Sequence, residues 1–479
     1  MTTGEPLTRR LIAGAGVVFV FTGIAFAAGF FVQILLARRL SVADFGLFAF
    51  AWMIVQFLHN LTNLHADKLI IVETENSETV FSTSVTLELI VATIVTLGLL
   101  ATAPLIVGFL GSETDPNYVR VLALTCLAIP FSRVRAIYER RLEFTRARLP
   151  RLLAELSGAL LAVAAASMDA GVWALVVWRA TPPVIEVVIL WVAAPMRFQI
   201  GIDRRVAMSF ARLGLPLVMT SLLGFLYWNF DYYIVQSLLG TDALGIYWLG
   251  FQMGHYLLQA RASWMTVILP GYAKLDTGDQ QRTGYVLMTA GAALAYGLPA
   301  ALFIVMGDPL VVWLFGEKWL PATAVIQIFL VVVLLRGSNF WDPIMLIRKK
   351  SNYLLQASCV NAAVIVGLGF PATRYYGIEG MASVVLIAVV YTTLFALYRV
   401  RSVLGELSVF QLCLRIVAVP AVVSAGWLLS GGSDWLRTGV HPIVGCLCVL
   451  VSYAVVAYLV HRKAIREWRP GAGAVVPAL

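Results

Sequence analysis

Three arginines, Arg179, Arg261 and Arg336, stand inside stretches that are otherwise almost wholly apolar. A guanidinium presents a rigid fork of N–H donors that fits phosphate or carboxylate oxygens two at a time, so converging arginines make a site for an oxyanion. Upstream, Arg133 and Arg135 end an apolar run and open a basic stretch that continues through Arg140, Arg141, Arg146, Arg148 and Arg151. Two histidines, His59 and His255, and one carboxylate, Asp231, also lie in apolar runs, where the available chemistry is proton or cation exchange. The sequence has no Gly-rich phosphate loop ending in Gly-Lys-Ser/Thr. The cysteines Cys126, Cys359, Cys413, Cys446 and Cys448 have no metal-ligand spacing and read as small apolar filler. No catalytic residue, metal or cofactor is expected.

The elements that carry these groups follow from composition. The chain has 479 residues, 60% hydrophobic and 13% charged, with a mean hydropathy of +0.86. Soluble domains carry about 25% charged residues, and a core this large would leave too little polar surface to cover it. Lipid is therefore the solvent, which excludes soluble enzymes and secreted domains. Apolar runs predict an all-α polytopic membrane protein with about fourteen transmembrane helices. The first six fall at about 11–37, 45–65, 83–110, 118–138, 150–167 and 171–193. The rest fall at about 209–235, 243–268, 284–308, 322–346, 352–371, 378–400, 410–430 and 440–461. The N-terminal run resembles a signal peptide at Arg9-Arg10 and Ala25-Phe26-Ala27, but it continues to Ala37 and is expected to be retained as the first span.

The net charge of +9 tracks membrane sidedness. With an even number of spans and the N-terminus in the cytoplasm, 25 of the 35 Lys and Arg fall on cytoplasmic segments and 6 on outer loops, while Arg179, Arg261, Arg336 and Arg415 fall within spans. This satisfies the positive-inside rule with both termini cytoplasmic, and it removes any need for a nucleic-acid partner. Trp173, Trp319 and Trp435, near outer ends of spans, are expected to be interface anchors.

A shift of 199 residues lays Leu40–Phe48 on Leu239–Tyr247, with Gly46 on Gly245, and puts Gln56 on His255. A second, weaker match at 209 lays Gly171-Val-Trp-Ala on Gly380-Met-Ala-Ser. The expected organisation is two six-helix lobes, 1–200 and 201–405, then an extra helical hairpin at 406–463 and a cytoplasmic tail at 464–479. Six is even, so both lobes start on the same side and the repeat is parallel. Such folds carry substrate between lobes that rock against each other.

At these residues the chain resembles a family. Leu36-Ala37-Arg38-Arg39-Leu40-Ser41 with Asp44-Phe45-Gly46 is similar to the first-loop pattern of polysaccharide-type flippases of the multidrug/oligosaccharidyl-lipid/polysaccharide exporter superfamily. Arg141-Leu142-Glu143-Phe144 and Gly171-Val172-Trp173-Ala174-Leu175 resemble their middle segment. Leu213-Gly214-Leu215-Pro216-Leu217, Asp231-Tyr232-Tyr233, Gly245-Ile246-Tyr247 and Ile268-Leu269-Pro270 resemble their second lobe. The likeness runs from about residue 11 to 400. It implies a V-shaped pair of bundles in a bacterial inner membrane that passes a polyprenyl-pyrophosphate-linked oligosaccharide from the cytoplasmic to the periplasmic leaflet. The partners it implies are that glycan and membrane lipid, with polysaccharide polymerase machinery a further candidate.

Within that frame Arg179, Arg261, Arg336, Arg133 and Arg135 are candidates for a cationic cavity that takes the pyrophosphate. The competing reading is internal pairing. Glu186 is seven residues from Arg179, about 10.5 Å along a helix, too far for a direct local bridge, so a partner would have to come from another helix. Asp342 is six residues from Arg336 and poorly placed for it. The basic stretch reads mainly as a topology anchor touching anionic lipid heads, with a funnel that gathers phosphate at the inner mouth as the sharper alternative. His59, His255 and Asp231, the last matching the family's Asp, are candidates for coupling or for polar cavity lining, with helix-packing hydrogen bonds as the alternative. The alternative function is a cation-coupled multidrug exporter of the same superfamily, which the absence of any carboxylate from the first span disfavours. A membrane glycosyltransferase would need an acidic site on a larger outer loop than the one at Gly111–Pro116.

Overall fold

Sequence repeats and apolar runs translate directly into helices. The structure, a computed structural model, describes residues 7–72, 77–192, 194, 198–273, 278–350, 352–405, 408–438 and 440–467, and these contain helix and connections but no strand. Most of the tail, from residue 468, and the loop cations Arg197 and Lys274 lie outside the described residues. Spans 1–6 are Leu7–Arg39, Val42–Thr62, Ser77–Phe109, Pro116–Arg140, Phe144–Ser167 and Val172–Val192. Spans 7–10 are Arg204–Leu239, Thr241–Ala273, Gly278–Phe315 and Glu317–Ile347. One run, Asn352–Leu404, holds spans 11 and 12, because Gly377 at φ 63° and ψ −149° breaks it where a side chain would be strained. Val409–Leu429 and Pro442–Glu467 complete the set. Eleven of these helical runs are apolar enough to cross a bilayer on composition among the described residues. Dividing 352–404 and adding the 36- and 33-residue helices of spans 7 and 8 gives fourteen. The chain is an all-α polytopic membrane protein.

Local chemistry sets the ends. Ser41 caps span 2 in a capping box: its Oγ accepts from Asp44 N, and the Asp44 carboxylate accepts from Ser41 N at 2.8 Å. Asp115 caps span 4 ahead of Pro116, and Asp203 caps span 7 through Arg205 N and Val206 N. Two short helices, Ala66–Val72 and Gly432–Thr438, occupy connections that are too short to show a periodic signal in the sequence.

Packing divides the chain into two units, Met1–Trp248 and Leu249–Leu479. In the first, spans 5 and 6 pack along their lengths, span 1 lies on span 5, and span 7 lies on span 2. In the second, span 9 is central, against spans 10, 13 and 14. Span 10 follows span 4 in design. Each is interrupted after a long helical part, at Ser132-Arg133 and at Ser338–Phe340, and resumes as a seven-residue helix, Val134–Arg140 or Trp341–Ile347.

Span 7 and the start of span 8 belong to the first unit because span 8 crosses span 2 at a close approach. A Cβ built on Gly46 would lie 1.9 Å from the carbonyl oxygen of Thr241, and one on Gly245 would lie 2.2 Å from that of Val42. The 199-residue shift maps Val42 onto Thr241 and Gly46 onto Gly245. Each repeat's glycine thus receives the first carbonyl of the other's helix. Phe45 and Phe48 flank the crossing against Trp248, at ring-centre distances of 5.6 and 5.7 Å.

Two expectations change. Trp319 is fully buried rather than an interface anchor, because the tight turn Glu317–Ala322 folds it inward; Trp173 and Trp435 are partly exposed, at 37% and 55%. Among the cysteines only Cys126 is buried, whereas Cys359 lies on the outer surface of its helix.

Gly46→Val and Gly245→Val should each destabilise the protein by about 1–3 kcal/mol, because the obstructing atoms are backbone and cannot rotate away. Thermal unfolding in detergent checks this, with Gly98→Ala, which meets nothing within 4 Å, expected to leave the midpoint unchanged.

Candidate functional site

Helical spacing places the polar residues of four spans on converging faces. Trp52, Gln56 and His59 follow one another at four and three residues on span 2, and Thr125, Ser132 and Arg135 at seven and three on span 4. Arg151 and Glu155 lie one turn apart on span 5, and Arg179 and Glu186 two turns apart on span 6, with Pro182-Pro183 between them. Together they enclose a cavity of about 320 Å³ within the first unit. Three guanidinium groups and two carboxylates line it.

The charges are unevenly matched. Glu186, with a side chain only 3% exposed, accepts from Arg135 Nη1 at 2.6 Å and from Arg151 Nη1 at 3.1 Å. Arg151 also pairs with Glu155. Arg179 has no carboxylate partner among the described residues. Its guanidinium carbon lies 4.6 Å from the ring centre of Trp178 and 5.8 Å from that of Trp52, and its buried Nε has no hydrogen-bond partner. Aromatic faces stabilise a cation without consuming its N–H donors, so Arg179 keeps its fork for an anion. His59 Nε2 lies 2.7 Å from Thr125 Oγ1. The Thr125 hydroxyl donates to Leu122 O, so the histidine nitrogen is the donor in this pair.

Arg133 stands apart from this cavity. Its Nε and Nη2 donate to Glu88 at 2.6 and 2.9 Å, Nη2 donates to Asn63 Oδ1 at 2.7 Å, and Nη1 reaches Asp67 at 3.5 Å. Glu88 is fully buried and also accepts from Ala66 N. The guanidinium therefore ties the interruption of span 4 to span 3 and to the end of span 2. The second unit makes the same tie with different chemistry. At the interruption of span 10, Asn339 Oδ1 accepts from Tyr285 OH of span 9 at 3.0 Å, and Asn339 O accepts from Arg261 Nη2 of span 8 at 3.0 Å. Arg261 also pairs with Asp342 and lies 5.5 Å from the Phe340 ring centre.

Of the residues singled out from sequence, Arg135, Arg179 and His59 meet in the one cavity. Asp231 belongs to the same unit but is buried in the span 7–8 hairpin, accepting from Tyr247 OH at 2.6 Å and from Tyr232 N. Arg261, half-buried Arg336 and His255 lie in the second unit, His255 exposed and stacked on Phe251. Sequence reasoning missed the bridging role of Glu186 and the site membership of Arg151 and Glu155. The available signal was an isolated carboxylate in mid-span, which lipid makes costly unless another helix pairs it.

The sequence pattern described as "Polysaccharide biosynthesis protein" matches residues 35–324. The chain belongs to that family. Among its relatives, the teichuronic acid biosynthesis protein TuaB of Bacillus subtilis is 27% identical over 245 residues, half of each chain. The succinoglycan biosynthesis transport protein ExoT of Rhizobium meliloti is 25% identical over 61% of this chain and 60% of its own. The lipopolysaccharide biosynthesis protein WzxC of Escherichia coli is 23% identical over 69% and 68%. The chain thus spans about half to two thirds of the length of these polysaccharide relatives. Its fold resembles the lipid II flippase MurJ in an inward closed conformation, with TM-score 0.69 and 12% identity over 94% of this chain and all of that one. A MATE-family multidrug transporter superposes with TM-score 0.57 and 16% identity over 85% and 98%. The fold of this polysaccharide biosynthesis family member is thus one it shares with these two structures.

Arg133→Met should destabilise the chain by about 3–5 kcal/mol, since it strands a fully buried Glu88 carboxylate. Arg133→Met combined with Glu88→Leu should recover most of that loss in the same unfolding assay.

Proposed function

We propose that this protein is a flippase, not an enzyme, which carries an oligosaccharide linked to a polyprenyl pyrophosphate from the cytoplasmic to the periplasmic leaflet of a bacterial inner membrane. The observation that carries the reading is Arg179. It is a guanidinium inside a polar cavity within a membrane bundle, held by two tryptophan faces and lacking any acidic partner among the described residues. A diphosphate supplies the oxygens that such a fork takes up. Gln56, Thr125 and Ser132 line the same space and suit hydroxyl-rich cargo. Three arginines against two carboxylates leave the cavity with an excess of positive charge, at Arg179, which argues against the multidrug alternative.

In this reading the lobes 1–200 and 201–405 alternate in access, while 406–463 is an added hairpin. Arg135 and Arg179 act in the first lobe, with Arg133 holding the frame behind them. Arg261 and Arg336 are the candidate anion ligands of the second, and His59, His255 and Asp231 are the candidate coupling groups. Polysaccharide polymerase machinery is the proposed recipient of the cargo. The relatives named for teichuronic acid, succinoglycan and lipopolysaccharide biosynthesis, and the flippase fold, support the cargo class.

Deleting the gene, in a strain with no redundant transporter, should accumulate complete prenyl-pyrophosphate oligosaccharide facing the cytoplasm; unchanged sidedness overturns the reading. In the complemented strain, Arg179→Gln should lower transport by about ten- to a hundredfold, the worth of a charge-assisted hydrogen bond. Alkaline phosphatase fused at either terminus should be inactive and a fluorescent protein fused there bright, as two cytoplasmic termini require.

A further inference from the structure

Glu186 is the most confined charge in the cavity wall, and its arrangement resembles that of a bound anion. Its two oxygens are taken by different guanidinium groups from different spans, Arg135 of span 4 and Arg151 of span 5. Its own helix presents Arg179 two turns earlier on the same face. One oxyanion bridging two arginines is also how a phosphate group would use them. The arginines have room to turn, with side chains 28% and 45% exposed, whereas the carboxylate at 3% has almost none.

We infer that Glu186 is an internal stand-in for the phosphate of the cargo. It holds Arg135 and Arg151 while no cargo is bound and surrenders them to an arriving diphosphate. The inference rests on the proposed reading of this cavity as an anion site and goes beyond it by naming what sets its affinity. A diphosphate engaging Arg179 first brings more negative charge than one carboxylate, so the exchange runs toward the substrate. The cost is a buried carboxylate left without its cations, and that cost weakens binding. A carrier gains from this weakening, because tight binding of the loaded state slows release. Glu186 returns to the two arginines as the diphosphate leaves, so its competition favours delivery. Glu155 keeps Arg151 near the site throughout through its own pairing.

The test uses the purified full chain in phosphatidylcholine nanodiscs, where no anionic headgroup competes, and inorganic diphosphate as the probe in calorimetric titration. Glu186→Gln keeps the shape and removes the charge; it should bind diphosphate about tenfold more tightly while transporting cargo more slowly in the complemented strain. Glu186→Asp, whose shorter carboxylate cannot span both arginines, should also bind more tightly than the parent, and it serves if the glutamine variant does not fold. Arg179→Gln should lose binding. Unchanged or weaker binding by the folded Glu186 variants, with binding lost in Arg179→Gln, overturns the stand-in role and leaves the anion site standing. Failure of the parent protein and of every variant to bind diphosphate overturns both. A merely structural Glu186 would weaken binding and transport together, so the opposite signs are the diagnostic result.

Discussion

Everything polar in this fold answers to one constraint: a guanidinium removed from water inside a membrane bundle must be satisfied by the protein around it. Arg133 is answered by a carboxylate and two further side chains, Arg135 and Arg151 by a shared carboxylate, and Arg261 by an aspartate and a backbone carbonyl. Arg179 is answered only by aromatic faces. The same rule that allows these residues to exist in the bundle therefore sorts them. Those tied to oxygen atoms of other helices hold helices together, and Arg179, the one guanidinium lining the cavity without such an oxygen among the described residues, can act on something else. Buried ionic ties of this kind contribute little net stability but make the interruptions of spans 4 and 10 specific, because no other packing would satisfy them.

The two repeats solve the same problem with different chemistry. In the first, the interruption of span 4 is pinned by an arginine–glutamate pair; in the second, that of span 10 is pinned by an asparagine receiving a tyrosine hydroxyl from span 9. The link from span 2 to span 4 is a side-chain hydrogen bond, whereas from span 8 to span 10 one arginine takes both a backbone oxygen and the Asp342 carboxylate. The geometry has been kept while the residues that make it have changed places: the arginine sits on span 4 in the first unit and on span 8 in the second. A polar cavity lies where spans 2, 4, 5 and 6 meet, and in the second unit the Arg261–Asp342 pair belongs to the tie itself.

How much of this can be read from sequence depends on how local the cause is. The spans were legible because hydropathy accumulates over some twenty contiguous residues, and even the break at Gly377 separates two runs that composition already distinguishes. The arginines were legible as candidates because charge is rare in apolar runs. Their partners were not. Glu88 lies 45 residues from Arg133, Glu186 lies 51 from Arg135, and Asp342 lies 81 from Arg261. For Glu186 the spacing excludes a local bridge to Arg179 and points to another helix without naming which, and for Asp342 it excludes Arg336, whereas the ties run between helices to Arg135, Arg151 and Arg261. The reciprocal glycines were visible as a repeat, but their meeting is a matter of helix crossing that no spacing encodes.

That crossing carries a consequence of its own. Because Gly46 receives the carbonyl of Thr241 and Gly245 that of Val42, the two glycine contacts are reciprocal, while the aromatic packing beside them, Phe45 and Phe48 on Trp248, belongs to one side alone. The backbone crossing therefore obeys an internal two-fold rule: the same glycine step in each repeat seats the first turn of the other's helix, so a single device used twice holds the two repeats at this point.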